Sequence, residues 1–336
     1  MKSRIGTVII AIYVNDCLIV GDKAAVVKAI EEIKNHFEVT HSADIEEFVG
    51  CTIEKENGRV LLSQPDLINK LLKKFNEQIE DMKEYDTPAA PGTHVVRPKS
   101  EEEKLGFEEQ SLYRSGVGSL LYLLKHSRPD LSNSIRELSK VMDGANKSHM
   151  KTLRRGIKFV KDTKDRKLIL QPKKDCMLWE VKGFSDSDFA GDTDERKSIS
   201  GYVIYVQGCP ISWRSKGQKS VSLSSTEAEY MAVSEVATEI LFIKSMMEFL
   251  GVNVTLPIQV NVDNVGAIYL SKSATTSNRT RHIDTRYHFV RDYIEDGVLK
   301  VLFVRSEDNH ADIMTKNLSV QLYDQHSGSI MDGEGG

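Results

Sequence analysis

Cysteine is scarce in this chain. Its 336 residues hold 4, at Cys17, Cys51, Cys176 and Cys209. They stand far apart with no C-x-x-C pair, which argues against a zinc site and a disulfide framework and makes reduced, intracellular thiols the default. No apolar run reaches the ~20 residues that span a bilayer, so no membrane partner is expected. Lys2 and Arg4 ahead of the apolar run Val8 to Val14 loosely imitate a signal peptide. Asn15-Asp16 interrupts that run, a second apolar run follows, and no small-residue cleavage site is present. A strong charge of one sign is also missing. The net charge of -4 argues against a wholly basic nucleic-acid coat and leaves local basic patches open. With 40% hydrophobic and 28% charged residues, the chain reads as a soluble globular protein long enough for two or three cores. The expected setting is intracellular, cytoplasmic or nuclear.

In chain order, residues 5–21 read as a tight hairpin of two apolar strands about Asn15-Asp16. A helix follows with Val26, Val27, Ile30, Ile33 and Phe37 on one face. Phe48 to Ile53 and Arg59 to Ser63 form a strand pair turning at Asn57-Gly58, and Pro65 opens a helix. Between Asp86 and Pro98 the composition turns to proline and glycine, the mark of a linker or extended connection. Helices are expected over Tyr113 to Leu124, Leu131 to Met142 and His149 to Thr163.

From Met177 the pattern changes. Three strands, a long helix from Ser225, a strand over Pro257 to Val262, short helices, a strand over Leu299 to Val304 and a last helix from Asn309 give an α/β order with a mixed sheet. The long helix begins in Ser222-Leu-Ser-Ser-Thr-Glu-Ala-Glu-Tyr-Met-Ala-Val233. Ser224 and Glu227 have capping-box spacing. Met231, Ala232, Val236, Ile240, Ile243, Met247 and Leu250 recur at the period of a buried face. Glu229 stands at the edge of that face.

Four carboxylates lie at ends of elements in this half. Asp186 follows the first strand, Glu229 is in the first turns of the long helix, Asp263 closes the fourth strand and Asp312 starts the last helix. Such positions can converge on one sheet edge, where like charges repel and shift one another's pKa values. Hard divalent cations such as Mg²⁺ relieve that repulsion through oxygen ligands. Two ions roughly 4 Å apart clamp the attacking and leaving oxygens of a phosphodiester. Singly, each carboxylate has a plainer reading: Asp186 or Asp188 as a turn residue, Glu229 as a cap, Asp263 as a strand-end acid and Asp312 as a helix cap. Together they point to a site.

Residues 183–317 resemble the ribonuclease H domain of Ty1/copia retrotransposon polyproteins. The resemblance is carried by Ser185-Asp-Ser-Asp-Phe-Ala-Gly-Asp192, Arg196-Lys-Ser-Ile-Ser-Gly-Tyr202, Ile211-Ser-Trp-Arg-Ser-Lys216, Leu223-Ser-Ser-Thr-Glu-Ala-Glu-Tyr230, Asp263-Asn264, Arg281-His-Ile-Asp-Thr-Arg-Tyr-His-Phe289 and Ala311-Asp-Ile-Met-Thr-Lys316. It implies an RNase H-like mixed five-stranded sheet with flanking helices. It also implies Asp186, Glu229, Asp263 and Asp312 as ligands of two Mg²⁺ ions, or Mn²⁺, in hydrolysis of the RNA strand of an RNA–DNA hybrid. Val265, Ile199 and Gly217 depart from the family's pattern without removing a ligand, and His310 is taken as incidental. Asn264, Arg279, Arg281 and Arg286 are the candidates for nucleic-acid contact. The basic stretch from Arg279 to Arg291 fits phosphate contacts and equally a solvated face paired with Asp284, Asp292 and Glu295.

The resemblance extends over residues 1–170. Tyr13-Val-Asn-Asp16 is similar to the Tyr-Val-Asp-Asp turn of the copia-type reverse transcriptase palm, and Phe48-Val-Gly-Cys51, Leu62-Ser-Gln-Pro65, Tyr113 to Tyr122 and Ser127-Arg-Pro-Asp130 continue it. Asn15 replaces an aspartate there and removes a charge that holds Mg²⁺, leaving Asp16 in a degenerate polymerase site. The expected organisation is a truncated α+β palm remnant over 1–85, a linker and helical connection over 86–170, an RNase H-like domain over 171–320 and a disordered tail over 321–336. The expected partners are an RNA–DNA hybrid and other retroelement polyprotein products. Polymerase activity is not expected. A non-catalytic remnant that at most binds nucleic acid is the alternative.

Overall fold

Short antiparallel pairs build the first part of the chain, because apolar stretches there are broken every few residues by turn signals. The computed structural model describes residues 2–3, 6–172, 178–272 and 287–332. Strands β1 (Lys2–Ser3), β2 (Gly6–Tyr13) and β3 (Asp16–Gly21) form an antiparallel sheet in that order. The β2–β3 turn places Val14 at φ 52°, a left-handed conformation that β-branched residues rarely adopt. Helix α1 (Lys23–Lys34) packs on β2 and β3, yet Ile9, Ile10, Ile12, Tyr13 and Val20 stay exposed.

β4 (Glu47–Phe48), β5 (Cys51–Glu56) and β6 (Arg59–Ser63) follow, with Asn57 and Gly58 both at positive φ in the β5–β6 turn. Helices α2 (Pro65–Ile79), α3 (Phe107–His126), α4 (Ser132–Ser139) and α5 (Lys147–Asp162) come next. β7 (Leu168–Leu170) then returns to pair with β6, closing the sheet β4-β5-β6-β7.

The second half contains β8 (Val181–Asp188), β9 (Ile199–Val206), β10 (Cys209–Gly217), α6 (Ser225–Phe249), β11 (Ile258–Val262), α7 (Val265–Lys272), α8 (Phe289–Glu295), β12 (Leu299–Phe303), α9 (Asp312–Thr315) and α10 (Val320–Met331). Its five strands form one mixed sheet in the order β10-β9-β8-β11-β12. The β10–β9 and β9–β8 pairs are antiparallel, and β11 runs parallel to both β8 and β12. The expected mixed five-stranded sheet with flanking helices is what forms.

Alternation along β9 supplies both faces of the sheet. Tyr202, Ile204 and Val206 pack with Val233, Val236 and Ile240 of α6. Val203 and Tyr205, with Phe184, join a core that also takes in Phe75, Tyr113, Leu120, Ile135, Leu153 and Ile157 from α2 to α5. The boundaries at 85/86 and 170/171 therefore do not separate independent cores.

Of the disordered tail expected over 321–336, residues 333–336 lie outside the described residues, and the rest is corrected by α10, which runs from Val320 to Met331. Tyr323, His326, Ser327, Ile330 and Met331 are buried at helical spacing. The Tyr323 hydroxyl donates to Asp130 Oδ2 at 3.0 Å. Asp130 in turn accepts two bonds, at 2.9 and 2.8 Å, from the fully buried Arg128 guanidinium. The polar composition of this segment conceals a helix anchored by one tyrosine and a buried ion pair.

Candidate active site

Asp186 was expected just after the first strand, but β8 carries it in its interior. Pairing with β9 continues through Asp188 opposite Ile199, so the strand does not end where the polar residues begin. Asp186 lies across from Gly201. A β-carbon at Gly201 would meet Met314 Cβ at 2.6 Å and Thr315 Cγ2 at 2.7 Å, so the bare backbone there is what lets α9 lie on β9. That contact brings Asp312, the first residue of α9, beside Asp186. Buried Asn309 pins the approach: its Nδ2 donates to the Ser185 carbonyl at 3.0 Å and its Oδ1 accepts from the Ala311 amide at 3.2 Å.

The other two carboxylates arrive from the far side of β8. Asp263 directly follows β11, half-buried, and its Oδ2 accepts from Ser306 Oγ at 2.7 Å. At the start of α6, Ser224 Oγ accepts from the Glu227 amide at 3.2 Å, while the Glu227 carboxylate accepts from the Leu223 amide at 2.8 Å. Glu227 thus does the capping, one residue upstream of the usual reciprocal bond. Glu229, two residues on, faces β8: its Oε1 accepts from the Ser187 amide at 3.1 Å. Its Oε2 is buried without a hydrogen-bond partner.

Asp186, Asp263 and Asp312 each offer an oxygen within 4.8 Å of the others. Burial foremost, helped by Asp312, pushes Asp186 up to about 6 against the pull of Lys316. Burial, then Asp186 and Asp263, push Glu229 up to about 9. An all-oxygen donor set with one buried orphan oxygen suits a hard divalent cation. Asp186, Asp263 and Asp312 are the residues close enough together to hold it.

Lys316, the last residue of the Ala311-Asp-Ile-Met-Thr-Lys316 stretch, also reaches the site. Its Nζ lies 2.7 Å from Asp312 Oδ1 and 3.2 Å from Asp186 Oδ1. Burial alone would depress it, but the two carboxylates hold it charged, well above the usual lysine range. The Asp312–Lys316 spacing of four on a helical turn is the signal that could have found it. The Thr315 hydroxyl also donates to Asp186 Oδ2.

His310 is not incidental to the structure. It stacks on Phe184 with ring centroids 4.3 Å apart, and its Nδ1 and the Tyr205 hydroxyl share a hydrogen bond of 2.9 Å. Burial pushes its pKa down to about 3.

Of the nucleic-acid candidates, Asn264 caps α7, its Oδ1 accepting from the Ala267 amide at 3.0 Å. Arg279, Arg281 and Arg286 lie outside the described residues. At the end of the basic stretch, Arg291 turns inward: its Nε donates to the Leu270 carbonyl at 2.9 Å and its guanidinium lies over the Tyr230 ring. Asn15 and Asp16 are exposed on the β2–β3 turn. Among the described residues, no group of three metal-ligating side chains gathers around them.

Three antiparallel strands extended by two parallel ones, with carboxylates on β8, after β11 and on the helices at that edge, define a ribonuclease H-like domain. Over most of its length the chain is similar to the Pol polyproteins of Ty1/copia-type retrotransposons. Residues 2–91 match the family described as reverse transcriptase (RNA-dependent DNA polymerase). Over 320 residues the chain is 34% identical to the retrovirus-related Pol polyprotein from transposon TNT 1-94 of Nicotiana tabacum, covering 92% of this chain and 23% of that protein. It is also 34% identical over 320 residues to that from transposon RE2 of Arabidopsis thaliana, 95% of this chain and 21% of that protein. The chain therefore spans between a fifth and a quarter of these relatives. Among solved structures, LC11-RNase H1 isolated from compost is similar over 40% of this chain and 92% of that one, at 12% identity and a TM-score of 0.31.

Proposed function

We propose that the second half hydrolyses the RNA strand of an RNA–DNA hybrid with Mg²⁺, or Mn²⁺ in its place, and that the reverse transcriptase segment does not polymerise. The observation that carries the nuclease reading is the convergence of Asp186, Asp263 and Asp312 within 4.8 Å, with the unpartnered Glu229 Oε2 buried beside them. Such a cluster repels a phosphate unless cations neutralise it. When bound, Mg²⁺ supplies that neutralisation, activation of the attacking water and stabilisation of the leaving 3′ oxygen.

The protein's part is to hold the donors in place. The Ser187 amide orients Glu229, Thr315 orients Asp186 and Ser306 orients Asp263. Asp263 is half-exposed, while Asp186 is wholly buried, so the substrate phosphate approaches from the Asp263 side. Asn264, Arg279, Arg281 and Arg286 are the groups assigned to backbone contact, which positions the strand without reading its sequence. Products carry 5′-phosphate and 3′-hydroxyl ends. In the reverse transcriptase segment Asn15 withholds a carboxylate that metal-dependent polymerisation needs. Other products of the same polyprotein remain as partners in the wider reaction.

The test is cleavage of a labelled hybrid in Mg²⁺. Asp186→Asn and Glu229→Gln should each lower the rate by at least about 100-fold, since outer-sphere partners alone reach that scale. Wild-type protein that binds hybrid in a salt-sensitive way but never cleaves it at ample Mg²⁺ would show a binding remnant instead.

A further inference from the structure

Lys316 stands where a cation is wanted. Its ammonium bridges Asp312 Oδ1 and Asp186 Oδ1, at 2.7 and 3.2 Å, within the group of carboxylates close enough to share an ion. Asp186 is wholly buried and its other oxygen is taken by the Thr315 hydroxyl. The edge that Asp186 offers to a metal is therefore the edge the lysine occupies. Two positive charges cannot share that edge cheaply, because like charges a few ångströms apart in a partly desolvated site repel strongly. Lys316 also has somewhere to go. Its side chain keeps 37% of its exposure, and a four-carbon stem lets the ammonium swing into water without moving α9.

We propose that Lys316 is a resident cation of the site. It holds Asp186 and Asp312 together when no metal is bound, and it yields when a divalent ion shared by those two carboxylates enters. This rests on the nuclease reading only in taking the carboxylates as metal ligands. It adds that the chain carries its own competitor for one of the ions. An ordinary surface ion pair would not behave this way, because its partners would not themselves be ligands.

The experiment is Mn²⁺ binding to the full chain, freed of metal beforehand, followed by calorimetry. Lys316→Met should bind its weakest-held Mn²⁺ about 10-fold tighter than wild type or more, and Lys316→Arg should not. Without metal, Lys316→Met should melt below wild type, and saturating Mn²⁺ should close the gap. Where Lys316→Met does not fold without metal, the wild-type chain carries the test. Acetylation of Lys316, read by mass spectrometry, should be slow in the metal-free protein and several-fold faster with Mn²⁺. Equal or weaker Mn²⁺ binding by Lys316→Met, or a Lys316 acetylation rate that Mn²⁺ leaves unchanged, overturns the role of the lysine alone. No Mn²⁺ binding by either chain overturns that role together with the metal reading of the site.

Discussion

A carboxylic acid buried with one oxygen unpartnered, as Glu229 is, is costly to ionise unless a cation accompanies it. The pH dependence follows from the sign of that cost. Glu229 moves from 4.5 in its ordinary state up to about 9 in the metal-free fold, so the folded chain keeps a proton that the unfolded chain has lost. Its contribution is fully present below pH 4.5 and is lost as the pH rises through about 9. Asp186 acts in the same direction over a narrower window ending at about 6. Stability in EDTA, followed by the melting temperature, should therefore fall from pH 6 to 9, by up to about 1.4 kcal/mol per pH unit for the Glu229 proton. Glu229→Gln should flatten the fall. Mg²⁺ should stabilise more at the higher pH, because its binding displaces the proton. A wild-type profile as flat as that of the variant would refute the assignment. At this scale the sequence was informative about the cap, since capping-box spacing separates Glu227 from Glu229. It was silent on which atoms lack partners, because that depends on Ser187 from another element.

Elements carry the next level of constraint, through two residues that hold no metal. Gly201 permits α9 to rest on β9, and Gln218 ties the entry of α6 to the same strand. The buried Gln218 amide donates to Ser200 Oγ at 3.0 Å and to the Ala228 carbonyl at 2.9 Å, one residue before Glu229. Gly201→Ala should force α9 away, with a stability loss of about 1–3 kcal/mol from overpacking and a matching loss of cleavage. Gln218→Leu should raise the Mg²⁺ concentration for half-maximal cleavage several-fold. Its rate at saturating Mg²⁺ should change less, since the ligands remain while their spacing is relaxed. Titration of Mg²⁺ against cleavage, with melting run alongside, separates the two variants. An unchanged Mg²⁺ requirement in Gln218→Leu would remove it as a positioning residue. The hairpin at Asn57-Gly58, the helix opened by Pro65 and the apolar period of α6 were legible because local chemistry decides them. α10 was not. Its buried face includes Tyr323, His326 and Ser327, and only the distant Arg128–Asp130 pair gives the tyrosine hydroxyl its reason to be buried.

For the whole molecule, the composition shift between Asp86 and Pro98 suggested a boundary, whereas packing places the weak point earlier. That proline-rich segment is clamped: the Val95 amide donates to Glu137 at 2.6 Å, and the Arg155 guanidinium donates to the Thr87 and Ala89 carbonyls. Trp213 Nε1 donates to the Leu124 carbonyl at 2.7 Å across the 170/171 boundary, and one apolar core runs from Ile68 to Ile330. Among the described residues, 6–46 have no share in that core. They keep Ile12 72% and Val14 82% exposed, and a cavity of about 600 Å³ lies between Asp16, Ile19, Ile30 and Thr40 on one side and Phe48 on the other. Residues 35–44 between α1 and β4 are exposed and follow Lys34, a tryptic site. Limited trypsin should therefore cut first after Lys34 and leave a core beginning at Asn35 that still cleaves hybrid, its melting temperature within about 4 °C of the whole chain. A fragment of residues 171–336 should fare worse, because removing α3 to α5 bares Phe184, Tyr205, Ile313 and Met314. That fragment should bind hydrophobic dyes and lose a cooperative melt. Cooperative melting of 171–336 at the temperature of the longer core would show instead that the ribonuclease H-like half stands by itself and that the connection helices only lean on it.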